Sequence, residues 1–201
     1  MRRKKNIDFI CIICILVISI FCLTIYWFYI APKRVFERDI ISMLGSPVNL
    51  NFHNIKCYYN GKDTSFIAYP QKKLVVFVDS TSCSGCFINK LCNYTQIDKE
   101  LKSRHSDLLV IIHPQYSDIN AICAQLAYQH FPFWCVVDGT GEFIVNNPFI
   151  SNNQVLHTFA LSENNKIILI GDILRNQQIK KLYDNVFLNN PISDNQRPIN
   201  N

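Results

Sequence analysis

Residues 74–87, LVVFVDSTSCSGCF, decide the fold of this chain because they join a strand to a helix through a pair of cysteines. The run of β-branched and aromatic residues at 74–78 predicts a strand that is buried on both faces of a sheet. A polar turn then leads to Cys83 and Cys86, and residues 84–102 fit a helix because apolar residues recur every three or four positions. Cys83 is therefore expected at a helix N-terminus.

The Cys83-Ser84-Gly85-Cys86 motif has the spacing that thiol–disulfide exchange requires. Unpaired backbone N–H groups and the helix dipole favour the thiolate form of a cysteine at a helix N-terminus. Because thiolate is the reactive form, Cys83 is predicted to attack a disulfide as the nucleophile. Cys86 lies one turn further along, which is close enough to resolve the mixed disulfide that results.

Strands and helices alternate in the rest of the chain. Residues 48–70 indicate short extended pieces around the turn Asn60-Gly61, and a later helix is expected to begin at Ser117 or Asp118. The other predicted elements are strands at 108–112 and 133–137, the second of them ended by a turn at Asp138-Gly139, a β-hairpin formed by 155–161 and 166–170, and a last helix at 176–187. This alternation predicts an α/β fold, with a central mixed sheet flanked by helices.

An apolar run near the N-terminus predicts a membrane anchor. Residues 9–30 contain no charge, Pro or Gly, and 22 residues at about 1.5 Å each span the roughly 30 Å of a bilayer core. Four basic residues at 2–5 precede the run and aromatic residues gather at its far end, 26–29, so the N-terminus is expected in the cytoplasm. The alternative is a cleaved signal peptide, but such a peptide has a shorter apolar core and residues 29–32 form a poor cleavage site.

The charge distribution separates this anchor from the rest of the chain. Residues 1–38 hold seven basic and two acidic residues, which account for the whole formal charge of +5. The neutral remainder argues against nucleic-acid binding, which needs a basic face on the folded domain. The predicted organisation is a basic cytoplasmic stub and transmembrane signal-anchor at 1–32, a linker or short helix at 33–44, an α/β domain at 45–188 and a disordered tail at 189–201.

Nine cysteines divide between the anchor and the domain. Cys11, Cys14 and Cys22 lie in the apolar run, and the other six are Cys57, Cys83, Cys86, Cys92, Cys123 and Cys135. Cys123 lies on the apolar stripe of a helix and Cys135 lies inside a strand, so both are predicted core residues. The pairing of Cys57 stays open. Cys92 lacks the further ligands that a metal site with the cysteine pair would need, so we predict no metal and no cofactor.

The chain resembles the thioredoxin-like superfamily, especially its bacterial membrane-anchored thiol–disulfide oxidoreductases. The resemblance covers about residues 45–188 and rests on the order of elements and on the strand–CxxC–helix junction at 74–87. It also rests on HTFALSENNKIILIGD at 157–172, which is similar to the late β-hairpin of that family. The resemblance implies a thioredoxin-like fold and disulfide exchange by Cys83 and Cys86.

Three positions depart from the pattern of that family. Family members usually have Trp immediately before the first cysteine, where this chain has Ser82. They carry a cis-proline that faces the cysteine pair, and Leu156 occupies that position here. A cis bond before a residue other than proline costs about 2.5–4 kcal/mol, so this loop is expected to adopt another geometry. The buried acid of thioredoxins corresponds to Phe77.

Two further side chains near the motif have alternative interpretations. Asp79 is either a solvated turn-former, which we expect, or a proton acceptor. His157 either stabilises the Cys83 thiolate or is an ordinary strand histidine, and the second role is expected. Together with Ser84, Gly85 and Leu156, His157 completes the supporting residues of the predicted site.

Two functions stay open at this stage. The first is a membrane-anchored extracytoplasmic thiol–disulfide oxidoreductase in the bacterial inner membrane, single-pass, with a cytoplasmic N-terminus and a periplasmic domain. Its expected partners are exported proteins with cysteine pairs and a membrane protein that donates electrons. The alternative is a redox-inactive thioredoxin-like binding or assembly module with a structural Cys83–Cys86 disulfide.

Overall fold

The computed structural model describes residues 15–53, 55–65, 70–150 and 152–188. It forms two units, Met1–Ser42 and Met43–Asn201, and each is described by itself. The predicted tail at 189–201 and the first part of the predicted anchor lie outside the described residues.

The described part of the first unit is helical. Helix α1 (Ile15–Met43) begins in this unit and is long and apolar enough to cross a membrane, and the side chains of its apolar part are exposed. A π-helical turn at Tyr26–Ile30 interrupts the α-helical pattern. The Arg34 guanidinium lies 5.8 Å from the centre of the Tyr26 ring, which is a cation–π contact at the end of the apolar run. Of the two alternatives predicted for 33–44, a linker or a short helix, the structure shows a helix, which ends at Met43.

A seven-stranded mixed sheet forms the centre of the second unit. Its strands are β1 (Ile55–Tyr59), β2 (Lys62–Thr64), β3 (Lys73–Val78), β4 (Asp107–Ile112), β5 (Trp134–Asp138), β6 (Thr158–Leu161) and β7 (Ile167–Ile170). Their order across the sheet is β2-β1-β5-β4-β3-β6-β7. Strands β3, β4 and β5 are parallel, and an antiparallel hairpin adds two strands at each side. The β1–β2 turn is at Asn60-Gly61, where both residues have a positive φ as a two-residue hairpin requires.

Helices cover both faces of this sheet. They are α2 (Ser84–Ile88), α3 (Thr95–Lys102), α4 (Ile119–Gln129), α5 (Glu142–Asn146) and α6 (Gln177–Leu188), with 3-10 turns at Leu91–Tyr94, Tyr116–Asp118 and Gln154–Leu156. Alternate residues of β3 join the main core with α3, α4 and α6. On the opposite face, Phe77 packs against Phe143 of α5 at 5.0 Å between ring centres. The predicted α/β class, a mixed central sheet flanked by helices, is thus confirmed.

The single helix predicted at 84–102 is wrong, because the chain breaks it into α2, a 3-10 turn and α3. Across the break, the buried residues Ile88, Leu91, Tyr94 and Ile97 recur every three positions. A 3-10 helix has three residues per turn, so tightening the chain at Leu91–Tyr94 keeps these side chains on the core face. The prediction had taken Phe87 as a core position, but Phe87 is only partly buried.

The predicted strand at 155–161 begins later than expected. Residues Gln154–Leu156 form a 3-10 turn, and β6 starts at Thr158. The Asn153 side chain accepts from the Val155 N–H at 3.1 Å, and the Asn153 carbonyl accepts from the Leu156 N–H at 2.9 Å. These local bonds compete with strand pairing and close the turn.

Asp118 and Asp138 lie at ends of elements, where the sequence predicts a helix cap and a turn. Asp118 occupies the N-cap position of α4 without a capping hydrogen bond, because a 3-10 turn leads into the helix. Asp138 has the predicted turn role, because its carboxylate accepts from the Thr140 N–H at 3.3 Å, and it is also the fully buried last residue of β5. Its carboxylate accepts from the backbone N–H groups of Glu142 at 3.0 Å and Phe143 at 2.8 Å, so it fixes the start of α5.

Candidate active site

The turn between β3 and α2 is held by the carboxylate of Asp79. Asp79 Oδ1 accepts from the backbone N–H groups of Thr81 at 3.2 Å and Ser82 at 3.0 Å, and from both of their hydroxyls at 2.8 and 2.9 Å. Burial alone would raise the pKa of Asp79, but the hydrogen bonds from Thr81 and Ser82 favour the charged form and lower it. The turn-forming role predicted for Asp79 is therefore confirmed.

Cys83 occupies the N-cap position of α2, as the sequence predicts. Its Sγ accepts from the backbone N–H of Cys86 at 3.3 Å, and the two sulfurs are joined in a disulfide with the Cα atoms 5.3 Å apart. Both cysteines are exposed. The helix behind Cys83 has only five residues, so the dipole that acts on this sulfur is shorter than the predicted helix would have supplied.

The two residues between the cysteines differ in burial. Ser84 is buried, whereas Gly85 is partly exposed. A Cβ atom added to Gly85 would meet nothing nearer than Gln125 Oε1 at 4.0 Å, so neither space nor backbone conformation requires glycine here. The exposed part of the motif is therefore the two sulfur-bearing residues.

The loop before β6 carries Leu156 and His157, the two supporting residues predicted outside the motif. Leu156 is buried at 1 % exposure. The centres of the His157 and Phe77 rings lie 4.9 Å apart, and the backbone carbonyl of His157 accepts from the Phe77 N–H at 2.8 Å. No cis peptide bond occurs in the described residues. Leu156 thus belongs to the core, and His157 packs beside the end of β3.

A groove of about 580 Å³ opens beside the cysteine pair, and we call it the cysteine groove. Four segments line it: the turn and helix around the cysteines, the 3-10 turn that contains Tyr94, the 3-10 turn that contains Gln154, and the turn between β7 and α6. A second groove of about 220 Å³, which we call the inner groove, lies toward β3 and His157. Gln154 and Arg175 line both grooves.

The walls of the cysteine groove contain polar residues that sequence reasoning did not place beside the cysteines. Arg175 Nε pairs with Asp172 Oδ2 at 3.1 Å. Tyr94 is buried, which raises the pKa of its hydroxyl, and the nearby Asp172 carboxylate raises it further. Lys90 also lines this groove. Asp172 ends the HTFALSENNKIILIGD segment, and that position was the signal that could have placed this turn near the cysteines.

The described domain contains four further cysteines, Cys57, Cys92, Cys123 and Cys135. Cys57, Cys123 and Cys135 are buried, which confirms the core positions predicted for Cys123 and Cys135. Burial raises the pKa of the Cys135 thiol, and the neighbouring Cys57 raises it further, so Cys135 stays protonated. Cys92 is exposed. Within the described residues, no group of three or more His, Cys, Asp or Glu side chains could hold a metal ion.

No protein-family model and no curated protein matches the chain. Several solved structures are similar to it in fold. An uncharacterized thioredoxin-like protein from Porphyromonas gingivalis is 14 % identical, with 70 % of this chain and 91 % of that chain covered and a TM-score of 0.47. The C-terminal domain of a putative thiol-disulfide oxidoreductase from Bacteroides thetaiotaomicron is 18 % identical, with 73 % and 97 % covered and a TM-score of 0.45.

A putative electron transfer protein from Aquifex aeolicus is 12 % identical, with 70 % of this chain and 90 % of that chain covered and a TM-score of 0.44. These low identities and TM-scores carry no inference about activity. The similarity concerns the fold, and the chain resembles the thioredoxin-like superfamily.

Proposed function

We propose that this protein is a membrane-anchored thiol–disulfide oxidoreductase that exchanges disulfides with exported proteins through Cys83 and Cys86. One observation carries the proposal: an exposed sulfur at the start of a helix accepts a backbone N–H, is bonded to its partner three residues along, and opens onto a groove. A donor N–H stabilises negative charge on that sulfur, and thiolate is the form that exchanges.

The reaction follows from this geometry. In the reduced protein, the Cys83 thiolate attacks one sulfur of a substrate disulfide, a mixed disulfide forms, and the other substrate sulfur leaves as a thiolate. The Cys86 thiolate then attacks Cys83 Sγ, which forms the Cys83–Cys86 disulfide and releases the second substrate thiolate. The substrate gains two electrons and the protein loses two. A membrane dithiol protein that donates two electrons would restore the reduced form, and the same steps in reverse would oxidise a substrate.

The location belongs to the same proposal. The apolar part of α1 supports a single membrane span, and the basic residues at 2–5 favour a cytoplasmic N-terminus. The domain would then lie in the periplasm of a bacterium, anchored to the inner membrane, where disulfides persist. Carbonate-resistant membrane association, with the domain digested by protease in spheroplasts but protected in intact cells, tests this arrangement. Release of the intact protein by carbonate would contradict it.

Insulin reduction by the full chain in detergent tests the chemistry. Cys83→Ser is expected to abolish the reaction, because the attacking sulfur is lost. Cys86→Ser is expected to stop at the mixed disulfide, which a nonreducing gel would show. Cys92→Ser is the matched control because Cys92 is an exposed free thiol outside the motif, and it should keep full activity. Full activity of Cys83→Ser would eliminate the proposal.

The second candidate is a redox-inactive binding or assembly module with a structural disulfide. The observation that favours it is that both carboxylates beside the site are engaged, Asp79 by the turn and Asp172 by Arg175, while Phe77 replaces the buried acid of the family. A reduction potential separates the two candidates. Structural disulfides lie below about −300 mV, whereas exchange-active ones lie higher.

A further inference from the structure

We propose that Gln154 is a positioning residue, which fixes the loop before β6 against the cysteine-bearing turn so that the groove is preformed for a polypeptide disulfide. This inference rests on the proposed function and adds a residue that the sequence did not indicate. The Gln154 side-chain amide donates to Thr81 Oγ1 at 2.8 Å and to Asp79 Oδ1 at 3.2 Å. The two segments it joins are more than 70 residues apart in the chain.

Gln154 is hydrogen-bonded to the turn at 79–82, which directly precedes Cys83 and positions it. Asp79 Oδ1, which accepts from Gln154, also accepts from the backbone N–H of Ser82, the residue immediately before Cys83. A displacement of the loop would therefore disturb the Asp79 carboxylate, which also holds Ser82 and so positions Cys83. The hydrogen bonds of Gln154 favour the charged form of Asp79, which in turn strengthens its other bonds.

The loop itself is held firmly on its inner side. Leu156 is buried, and the His157 carbonyl accepts from the Phe77 N–H at 2.8 Å in the sheet. Its outer side is exposed at Asn153, Gln154 and Val155. The link from Gln154 ties this outer side to the cysteine turn, and Gln154 also lines the cysteine groove and the inner groove.

A polypeptide that brings a disulfide to Cys83 has to lie along these walls. Ordering a mobile wall on binding costs conformational free energy, and a wall that is already fixed avoids that cost. A small disulfide needs only the sulfur and does not contact the walls. Loss of the Gln154 link is therefore expected to weaken the docking of large substrates and to leave the sulfur chemistry unchanged.

Single-turnover oxidation of the reduced full chain in detergent tests this inference. Insulin at increasing concentration gives an apparent dissociation constant and a limiting rate, and a small aromatic disulfide gives the rate of the sulfur chemistry alone. Gln154→Ala should raise the apparent dissociation constant for insulin about fivefold, the equivalent of about one hydrogen bond. Its rate with the small disulfide should stay within about twofold of wild type, less than the loss of one hydrogen bond would cause.

Two further variants sharpen the result. Gln154→Glu keeps the size of the side chain but removes the N–H donor and places a negative charge against Asp79, so its effect on insulin docking should be at least as large. Gln115→Ala is the matched control, because Gln115 donates to the Ser80 carbonyl of the same turn at 3.5 Å without bridging to the loop at 154. This control should behave as wild type.

Three outcomes decide the inference. An unchanged insulin constant in Gln154→Ala overturns it, and so does an equal loss with insulin and with the small disulfide, because Gln154 would then act on the thiol or on folding. If wild type itself does not react with insulin, the proposed function fails, and amide hydrogen exchange decides the inference instead. Faster exchange at Ser82 and Leu156 together in Gln154→Ala, but not in Gln115→Ala, would support the link. Unchanged exchange would refute it.

Discussion

Replacing Leu156 with proline is expected to destabilise this protein, although the thioredoxin-like proteins that it resembles carry proline at this position. Leu156 is 1 % exposed, and truncation of a buried leucine to alanine costs about 2–5 kcal/mol. We therefore expect Leu156→Ala to lower the free energy of unfolding by about 3 kcal/mol, near the middle of that range. Such a loss corresponds to a fall in Tm of about 6–12 °C for a domain of this size.

Proline should cost more than alanine at this position. The Leu156 N–H donates to the Asn153 carbonyl at 2.9 Å, and proline has no N–H to replace that bond. One lost hydrogen bond is worth about 1 kcal/mol. Proline also disfavours a helical backbone at the residue before it, and Val155 lies inside the 3-10 turn. The free energy of unfolding of Leu156→Pro should thus lie at least about 1 kcal/mol below that of Leu156→Ala.

Urea denaturation of the full chain in detergent, followed by near-ultraviolet circular dichroism, measures these differences. Val155→Ala is the matched control, because Val155 is the neighbouring residue and is 54 % exposed. Its free energy of unfolding should stay within about 0.5 kcal/mol of wild type. A Leu156→Pro variant as stable as wild type would instead indicate that the loop has the geometry that proline favours in place of the 3-10 turn.

Three further predictions concern the domain around the site. The pKa of Asp79 is lowered in the folded protein, so its contribution to stability should be full above its ordinary pKa of 3.8 and lost as the pH falls through the lowered value. Unfolding measured against pH should show that Asp79→Asn removes this loss at acid pH, and an unchanged pH profile would contradict the prediction. Asp138→Ala should lower the free energy of unfolding by about 3 kcal/mol in urea titrations, because it leaves buried N–H groups such as that of Phe143 without an acceptor. A loss below about 1 kcal/mol would show that Asp138 does not hold the start of α5. In the oxidised protein, a maleimide should label the exposed Cys92 rapidly and the buried Cys123 only after unfolding, as peptide mass spectrometry would show. Labelling of Cys123 in the native protein would contradict its burial in the core.

The strand–cysteine–helix junction could be predicted from sequence because each of its signals is local. The apolar run of β3, the polar turn and the cysteine spacing all lie within residues 74–87, and together they indicate a strand followed by a turn and a helix. Asp79 could be assigned to the turn for the same reason, since its partners Thr81 and Ser82 are two and three residues away.

The helix at 84–102 could not be predicted correctly because periods of three and of 3.6 residues are hard to tell apart in a short stretch. The choice between them depends on which side chains the sheet buries, and Phe87 was taken as buried when it is only partly so. Residues that meet only in the folded chain were missed altogether. Gln154 is bonded to a turn 73 to 75 residues away, and no local pattern marks that contact.

Disulfide exchange by this protein requires that Cys83 is an activated thiol at the start of α2. We therefore propose to measure the pH dependence of Cys83 alkylation in the reduced protein. Cys92→Ser removes the exposed thiol outside the motif, and fragment-ion mass spectrometry distinguishes alkylation at Cys83 from alkylation at the exposed Cys86. We predict a midpoint clearly below the free-cysteine value of about 8.5. A midpoint at or above about 8.5 would show that the Cys83 thiol is not activated and would favour a structural disulfide.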